Sequence, residues 1–276
     1  MELHSTDSIQ EAIGRGVISR TTIHQWQLSV VQKLVFDDQS IYAYKANLPP
    51  SVENDFYRRS NTDLLPEHIQ LPQVASTQGL LLKWIHFPAI SDLTLEQIDL
   101  CSLCELVVDR LGSMSGSLPF HTDISSRVRW EDYISRMLAR FETYFLRNQN
   151  GSVPRSATRY ISSFADNKKI LEILCKSTRL IHGDLKSDQI FVSSGNIKVI
   201  DWQRPVVGPA SLDLASLLIS LGIDPSGKVS PEILQVHWIL FTGWILEAWM
   251  DHFDQTTGTM ERWLLLGLSK LKQAAL

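Results

Sequence analysis

The sequence predicts an α+β protein with a small N-terminal lobe of antiparallel strands and a larger, mostly helical C-terminal lobe. Two observations carry this prediction. Short runs of β-forming residues, separated by turn residues, fill much of the chain between residues 21 and 85. From residue 94 onward, apolar residues recur instead at the spacing of helices. We therefore divide the chain into two domains, residues 1–85 and residues 86–276.

Composition narrows the class of protein. The chain has 276 residues, 44% of them hydrophobic, which is ample for a buried core. With a net charge of -4, the chain lacks the excess of basic residues that binding to nucleic acid or to an anionic membrane surface would need. Three cysteines argue against a disulfide framework, and the first residues lack the pattern of a signal peptide. We expect a cytoplasmic protein with no nucleic-acid or membrane partner; the oligomeric state stays open.

The N-terminal lobe begins with a short helix and a turn in residues 1–20 and continues as strands. Strand candidates lie at residues 22–28, 30–36, 41–45, near 74 and at 79–85. The first three predict an antiparallel meander that ends in Lys45. Two prolines break the meander, and a helix over residues 52–60 follows, capped by Ser51 and with Glu53 in its first turn.

The C-terminal lobe is predicted to be built from helices. They are placed at residues 94–111, 130–146, 160–175 and 232–250. The periodicity of the first rests on residues such as Ile98 and Leu106. Cys101 and Cys104 lie on the same helix, and without a second pair of ligands we interpret them as core residues, not as a zinc site. The last helix is apolar almost all round, which indicates a buried helix that is too short and too interrupted to span a bilayer.

The most informative stretch is residues 180–215. After His182-Gly183-Asp184, and five residues beyond the aspartate, comes Gln189. Two short strands joined by a Ser-Ser-Gly-Asn turn follow, and the second strand ends at Asp201. We expect this hairpin to bring Asp201 back beside the loop with Asp184 and Gln189. Carboxylate and amide oxygens are suitable ligands for Mg²⁺, which shares them with substrate phosphates.

This order of motifs resembles the aminoglycoside phosphotransferase and choline kinase branch of the protein-kinase-like phosphotransferases, in which HGDLHxxN, IDWE and a DLA-type segment follow one another. Here the segments read HGDLKSDQ, IDWQ and DLA. Gly183 in place of an arginine, and Asp201-Trp202-Gln203 in place of Asp-Phe-Gly, point away from protein kinases. The resemblance implies a two-lobed protein-kinase-like fold. It also implies transfer of the γ-phosphate of ATP, or of GTP, to a hydroxyl of a small molecule, with Mg²⁺ as cofactor.

The resemblance also implies roles for individual residues. Asp184 is expected to be the catalytic base, and Lys186 is expected to touch the transferring phosphate. Asp201 and Gln189 are the expected metal ligands, with glutamine where the family usually has asparagine. Asp213 is expected to brace the catalytic loop.

The nucleotide is expected to be held mainly by residues 1–85. A strand lysine paired with a helix glutamate holds the α- and β-phosphates in kinases, which makes Lys45 and Glu53 the candidates and Asp55 the second choice in that helix. The adenine is expected at the backbone of Lys83, Trp84 and Ile85. The family's glycine-rich phosphate-covering loop has no counterpart in residues 28–31, which contain no glycine.

Two alternatives remain open at this point. The acceptor is expected to bind to residues 86–276, but the sequence does not identify it. Three interpretations of the last apolar helix and its end stay open. Its acids could hold amines of the acceptor, its aromatic residues could surround a quaternary ammonium, or these residues could simply belong to the core and the surface. The residues concerned are Trp238, Trp244, Glu247, Trp249, Asp251 and Asp254. A catalytically silent pseudokinase that binds a nucleotide or a partner is the alternative to an enzyme.

Overall fold

The computed structural model describes residues 1–114, 116–149, 151–176, 178–253 and 258–275. The strands are β1 Val17–Gln25, β2 Ser29–Phe36, β3 Ile41–Asn47, β4 His68–Val74, β5 Thr77–Lys83, β6 Thr122–Asp123, β7 Arg179–Ile181, β8 Ile190–Ser193, β9 Asn196–Val199 and β10 Val206–Gly208. The helices are α1 Thr6–Ile13, α2 Glu53–Arg59, α3 Gln97–Gly112, α4 Arg127–Arg147, α5 Ser156–Ser162, α6 Lys168–Lys176, α7 Ser211–Ser220, α8 Pro231–Glu247 and α9 Gly258–Gln273. An antiparallel N-terminal sheet followed by a helical region confirms the predicted α+β class.

The chain divides into two compact units that are not continuous in sequence. The first holds residues 1–99, 113–121 and 186–205, and the second holds residues 100–112, 122–185 and 206–276. The first unit therefore takes in short segments from beyond residue 85. The functional division at residues 85 and 86 stays a prediction.

The first unit is built on a five-stranded antiparallel sheet with the order β1-β2-β3-β5-β4. Its core contains the buried side chains of Leu34, Phe36, Tyr44 and Leu81, and Ile9 from α1 packs into the same cluster. The predicted meander is confirmed, although β1 begins earlier than expected. The turn between β1 and β2 consists of residues 26–28 and contains no glycine.

The N-terminal segment is anchored to this sheet by a buried histidine. The carbonyl of Pro72 lies 2.6 Å from His4 Nε2 and can only accept, so Nε2 carries the hydrogen. His4 Nδ1 then accepts from the Tyr44 hydroxyl at 2.9 Å. The ring also lies directly over Gly79, where an added Cβ would overlap it. Glycine at position 79 is therefore required by the close approach of the N-terminal segment.

Replacing Gly79 with alanine is expected to lower the free energy of unfolding by about 1–3 kcal/mol, because the new methyl group displaces the His4 ring. Urea unfolding measures this change. Gly227→Ala is the matched control, since an added Cβ there meets no atom within 4 Å. Equal stability losses in the two variants would contradict the anchoring role of His4.

The hairpin predicted in residues 190–200 is confirmed. Strands β8 and β9 pair antiparallel, with Ile190 opposite Val199 and Ser193 opposite Asn196. The turn residues Ser194 and Gly195 both adopt positive φ, at 29° and 88°, which matches the twist that two-residue hairpin turns require. Asp201 therefore follows the hairpin as expected.

The second unit is mainly helical and contains a small sheet with the order β6-β10-β7. Helix α3 forms as predicted, but its buried face differs from the expected one. Ile98 and Leu106 are exposed, whereas Cys101 and Cys104 are buried and free. The predicted helical region at residues 160–175 is divided into α5 and α6.

The apolar helix predicted at residues 232–250 is α8 together with a π-helical turn at Ala248–His252. We predicted that this helix is too short to span a membrane. That prediction was wrong, because the helical stretch has 22 residues. Within the described residues, Pro231–His252 is the one helical stretch that is long and apolar enough, and 56% of its 18-residue apolar window is buried in the protein. Packing of α8 against α4, α6, α7 and α9 accounts for its apolar composition, as in a core helix.

Candidate active site

A buried lysine between two carboxylates forms the centre of the candidate site. The ammonium of Lys45 lies 2.7 Å from Glu53 Oε2 and forms a second ion pair with Asp201 Oδ1. Strand β3 supplies the lysine, the first residue of α2 supplies the glutamate, and the chain leaving β9 supplies Asp201. The structure thus brings Asp201 into contact with Lys45, which lies 156 positions earlier in the chain.

The charges in this cluster depend on one another. Burial by itself lowers the pKa of Lys45, but the carboxylates of Asp201 and Glu53 outweigh it, so the pKa lies above its ordinary value. Burial raises the pKa of Glu53, which is fully inaccessible, while Lys45 opposes the rise. A protonated Lys45 therefore limits the rise in the pKa of the buried Glu53.

Glu53, and not Asp55, is the helix acid that pairs with Lys45. Asp55 lies on the exposed side of α2, where it pairs with Arg58. Asn47 supports the pair, because its Nδ2 donates to Glu53 Oε2 at 2.8 Å. Sequence reasoning missed Asn47, although its position two residues after Lys45 places it on the same face of β3.

Asp201 accepts hydrogen bonds from two glutamines as well as from the lysine. Gln189 Nε2 donates to Asp201 Oδ2 at 2.8 Å, and Gln203 Nε2 donates to Oδ1. The other end of the Gln189 amide, Oε1, accepts from the backbone N–H of Lys186 at 2.8 Å. Two of the predicted metal ligands, Gln189 and Asp201, are therefore in direct contact.

The backbone at Asp201 is held in an uncommon conformation. Its φ is 74°, in the left-handed region that aspartate tolerates better than most residues. The next side chain, Trp202, is buried and stacks on Phe56 of α2 with ring centroids 4.2 Å apart and planes 10° apart. The carbonyl of Gln203 accepts from Val52 N–H at the start of α2. The segment after β9 therefore packs directly against α2, the helix that carries Glu53.

The donor set at Asp201 fits one Mg²⁺ ion. The Asp201 side chain is 28% exposed, and its Oδ2 accepts a hydrogen bond from Gln189 Nε2. Gln189 Oε1 accepts a hydrogen bond from the Lys186 N–H, so Nε2 and not Oε1 is the amide atom in contact with Asp201. One carboxylate, one amide oxygen and substrate phosphates make up an ordinary Mg²⁺ environment. Among the described residues, no group of three or more His, Cys, Asp or Glu side chains could hold a metal ion by itself.

The loop before Asp184 is fixed by Asp213. The carboxylate of Asp213 is buried and accepts the backbone N–H groups of His182 at 2.7 Å and Gly183 at 2.9 Å. Gly183 has a φ of 83°, which explains a glycine at this position. The expected bracing role of Asp213 is confirmed, while the catalytic role of Asp184, which is partly buried, stays a prediction.

Asp213→Ala is expected to lower kcat more than it changes the KM of the nucleotide, because two buried N–H groups lose their acceptor and the loop carrying Asp184 shifts. Steady-state kinetics separate the two parameters. Asp224→Ala is the control, since that carboxylate caps an exposed turn of the same unit. A purely structural role for Asp213 would lower the melting temperature and leave kcat per folded molecule unchanged.

The remaining predicted residues lie near the surface of the first unit. Lys186 is exposed. Lys83 pairs with Glu67, and its backbone N–H donates to the Glu67 carbonyl at 2.8 Å. The N–H of Trp84 donates to the carbonyl of Ile41 at 3.0 Å, so both amides are used by hydrogen bonds to the chain on either side of β5. The Trp84 ring is partly exposed, with Lys33 Nζ 4.7 Å from its centroid, and is not a core residue. Ile85 is therefore the strongest of the three backbone candidates for adenine.

Comparison with known proteins agrees with this fold. The chain is similar to a spectinomycin phosphotransferase solved with ADP and spectinomycin, with 13% identity and a TM-score of 0.57 over 99% of both chains. A thermostable aminoglycoside phosphotransferase mutant has 14% identity and a TM-score of 0.66 over 98% of both chains. A choline/ethanolamine kinase family protein from Mesorhizobium loti has 10% identity and a TM-score of 0.63, covering 93% of this chain and 87% of its own.

The comparison of sequences identifies the family more specifically than the comparison of folds does. No curated protein matches the chain. Residues 68–238 match the model of the phosphotransferase enzyme family. This match covers more than half of the chain and includes the HGD, IDW and DLA segments that indicated the family in the first place. The protein belongs to the phosphotransferase enzyme family.

Proposed function

We propose that the protein is a small-molecule phosphotransferase that moves the γ-phosphate of ATP, or of GTP, to an alcohol group with the help of Mg²⁺. The observation that carries this proposal is the buried Lys45, paired with Glu53 and in contact with Asp201. A fixed cation beside a carboxylate that can hold a metal is the arrangement that phosphoryl transfer requires. Residues 1–85 are proposed to bind the nucleotide and residues 86–276 the acceptor.

The cluster in the first unit has a binding role in this proposal. Lys45 neutralises the α- and β-phosphates and is kept in place by Glu53. Asp201 and Gln189 hold the metal, and Mg²⁺, when bound, neutralises charge on the phosphate oxygens. Lys45 already contacts Asp201, so phosphates that bind to the lysine would lie beside the carboxylate that would hold the metal.

Asp184 is proposed to act on the acceptor. It orients the hydroxyl and takes its proton as the oxygen forms a bond to the γ-phosphorus. The bond from that phosphorus to the bridging oxygen breaks, and its electron pair leaves with the nucleoside diphosphate. Lys186 is proposed to contact the transferring phosphate, since its exposed side chain follows Asp184 by two residues.

The solved relatives support nucleotide binding at this fold. The spectinomycin phosphotransferase was solved with ADP in one structure and with AMP in another. For this chain we place the base at the backbone of Lys83, Trp84 and Ile85. The turn without glycine at residues 26–28 and the glutamine at position 189 would suit a catalytically silent pseudokinase. We favour the enzyme because Lys45, Asp184 and Asp201 are all present. A cytoplasmic location stays a prediction.

Transfer of labelled γ-phosphate to a panel of alcohols tests the proposal. The panel contains aminoglycosides, macrolides, choline, amino alcohols and sugars, each tried with ATP and with GTP. We expect one class to be phosphorylated, dependent on Mg²⁺, and the activity to be absent in Asp201→Asn. Asp188→Asn, an exposed position in the same loop, is the control and is expected to remain active. A protein that phosphorylates no member of the panel would refute the proposed function.

A further inference from the structure

The lysine of β9 reaches the turn that follows α2. Lys198 Nζ donates to the carbonyl of Asp63 at 2.5 Å and to the carbonyl of Leu65 at 3.0 Å. The backbone N–H of the next residue, Val199, donates to the carbonyl between them, that of Leu64, at 2.8 Å. Three consecutive carbonyls therefore accept hydrogen bonds from two consecutive residues of β9, which fixes the register of the turn on the strand.

An ammonium group suits these carbonyls. Leu64 and Leu65 are buried, at 1% and 5% exposure, so the turn is packed into the first unit. A carbonyl in such a turn is costly to leave without a donor. The Lys198 ammonium has three donors and is partly exposed, so it can bind two carbonyls and keep one donor for water. Lys198 therefore holds this turn on β9.

The start and the middle of α2 are attached to the same part of the chain. The backbone N–H of Val52, immediately before the helix, donates to the carbonyl of Gln203 at 3.1 Å. Within the helix, Phe56 stacks on Trp202. Helix α2 is thus attached to residues 198–203 before its first residue, in its middle and beyond its last residue.

These attachments lie between the two acids of the candidate site. Glu53 is the first residue of α2, and Asp201 belongs to the segment that α2 contacts. The Lys45 ammonium bridges the two acids. Because hydrogen bonds weaken beyond about 3.2 Å, one ammonium can bridge two acids only while the spacing between them is kept. The docking of α2 on β9 therefore sets the geometry around Lys45.

A second set of contacts attaches α2 to the five-stranded sheet. Asn54 Nδ2 donates to the carbonyl of Gly79 on β5 at 2.9 Å, and Gln70 Nε2 on β4 donates to the carbonyl of Asn54 at 2.7 Å. Neither hydrogen bond involves residues 198–203. Removal of the Lys198 ammonium is therefore expected to leave α2 on the sheet and to loosen its attachment to β9.

We propose that Lys198 is a positioning residue for nucleotide binding, which holds α2 at the distance from Asp201 that Lys45 bridges. The inference rests on the proposed function, in which Lys45 binds the phosphates and Asp201 binds the metal. Lys198 contacts neither the nucleotide nor the metal in this account. Its effect passes through the carbonyls of residues 63 and 65 to α2, and from α2 to Glu53.

Titration calorimetry with a non-hydrolysable ATP analogue and Mg²⁺ measures the expected effect. Lys198→Met is expected to raise the Kd of the analogue about tenfold, because the acids that hold Lys45 no longer keep their spacing. Lys198→Arg is expected to stay within about threefold of the wild type, since a guanidinium can donate to both carbonyls. Lys228→Met is the matched control: its ammonium also makes a hydrogen bond, to Glu105 at 2.7 Å, and the Kd is expected to be unchanged.

A double-variant cycle distinguishes positioning from a general loss of stability. Lys198→Met is expected to add less than about twofold to the Kd of Glu53→Gln, because the ion pair that Lys198 positions is already broken. Independent effects multiply instead. Amide hydrogen exchange at Val199 reports the docking of the turn directly, and we expect it to be faster in Lys198→Met than in Lys228→Met.

The outcomes separate this inference from the proposal on which it rests. Melting temperatures identify any variant that fails to fold, and Lys198→Gln, which keeps a donor for one carbonyl, takes the place of Lys198→Met in that case. An unchanged Kd, effects of the two substitutions that multiply, or unchanged exchange at Val199 overturns the positioning role and leaves the proposed function standing. A wild-type protein that does not bind the analogue overturns both.

Discussion

Replacing Lys45 with methionine is expected to destabilise the protein by about 3–5 kcal/mol at pH 7, because the fully buried Glu53 loses the cation that compensates its charge. Removing the lysine also removes the opposition to the rise in the pKa of Glu53. A carboxyl whose folded pKa lies above its unfolded value contributes stability below the unfolded pKa and loses it as the pH rises through the folded pKa. The variant is therefore expected to regain stability toward pH 4.5.

Urea unfolding at pH 7 and pH 4.5 measures both parts of this expectation. Lys33→Met on the neighbouring strand is the matched control, since Lys33 is partly exposed and only lies over the Trp84 ring; a loss below about 1 kcal/mol is expected. The double variant Lys45→Met, Glu53→Leu is expected to recover most of the loss, because no buried charge remains. Equal stability of the wild type and Lys45→Met at pH 7 would contradict a buried ion pair.

Asp184→Asn is expected to lower kcat by about 10²- to 10⁴-fold, the usual contribution of a general base, with little change in nucleotide affinity. The amide can still accept a hydrogen bond from the acceptor but cannot take its proton. Single-turnover transfer of labelled phosphate measures the chemical step directly. The Asp213 contacts to the N–H groups of His182 and Gly183 do not involve the Asp184 side chain, so the loop is expected to keep its conformation.

Asp188→Asn is again the appropriate comparison, because it makes the same chemical change four residues along the chain at an exposed position. Equal kcat values for Asp184→Asn and the wild type would show that another group accepts the proton. The melting temperature of Asp184→Asn is expected to stay near that of the wild type.

Much of the candidate site was predictable because its parts are close together in sequence. The hairpin from Ile190 to Val199 follows from alternation and a turn with a glycine at positive φ, and it fixes the positions of Gln189 and Asp201 relative to each other. Lys45 and Glu53 were identified from the resemblance, since an isolated lysine and glutamate carry no local signal. The structure pairs the two residues, as the resemblance implied, and their role in nucleotide binding stays a prediction.

The parts that were missed depend on tertiary packing. The stack of Trp202 on Phe56 joins residues separated by about half of the chain, and no local pattern indicates it. The partial exposure of Trp238 and Trp244 on α8 was missed for a similar reason: the helix is apolar almost all round, and only its neighbours determine which side is covered. The buried face of α3 consists of two cysteines, two valines and Leu111, whereas periodicity gave equal weight to Ile98 and Leu106, which are exposed.

Titration calorimetry with a non-hydrolysable ATP analogue, with and without Mg²⁺, tests most directly whether Lys45, Gln189 and Asp201 form a metal–nucleotide site. We expect wild-type protein and Asp188→Asn to bind the analogue more tightly when Mg²⁺ is present, and Asp201→Asn to lose this dependence on the metal. Binding that is equally tight with and without Mg²⁺ in the wild type, or an Asp201→Asn variant that still responds to the metal, would contradict the account.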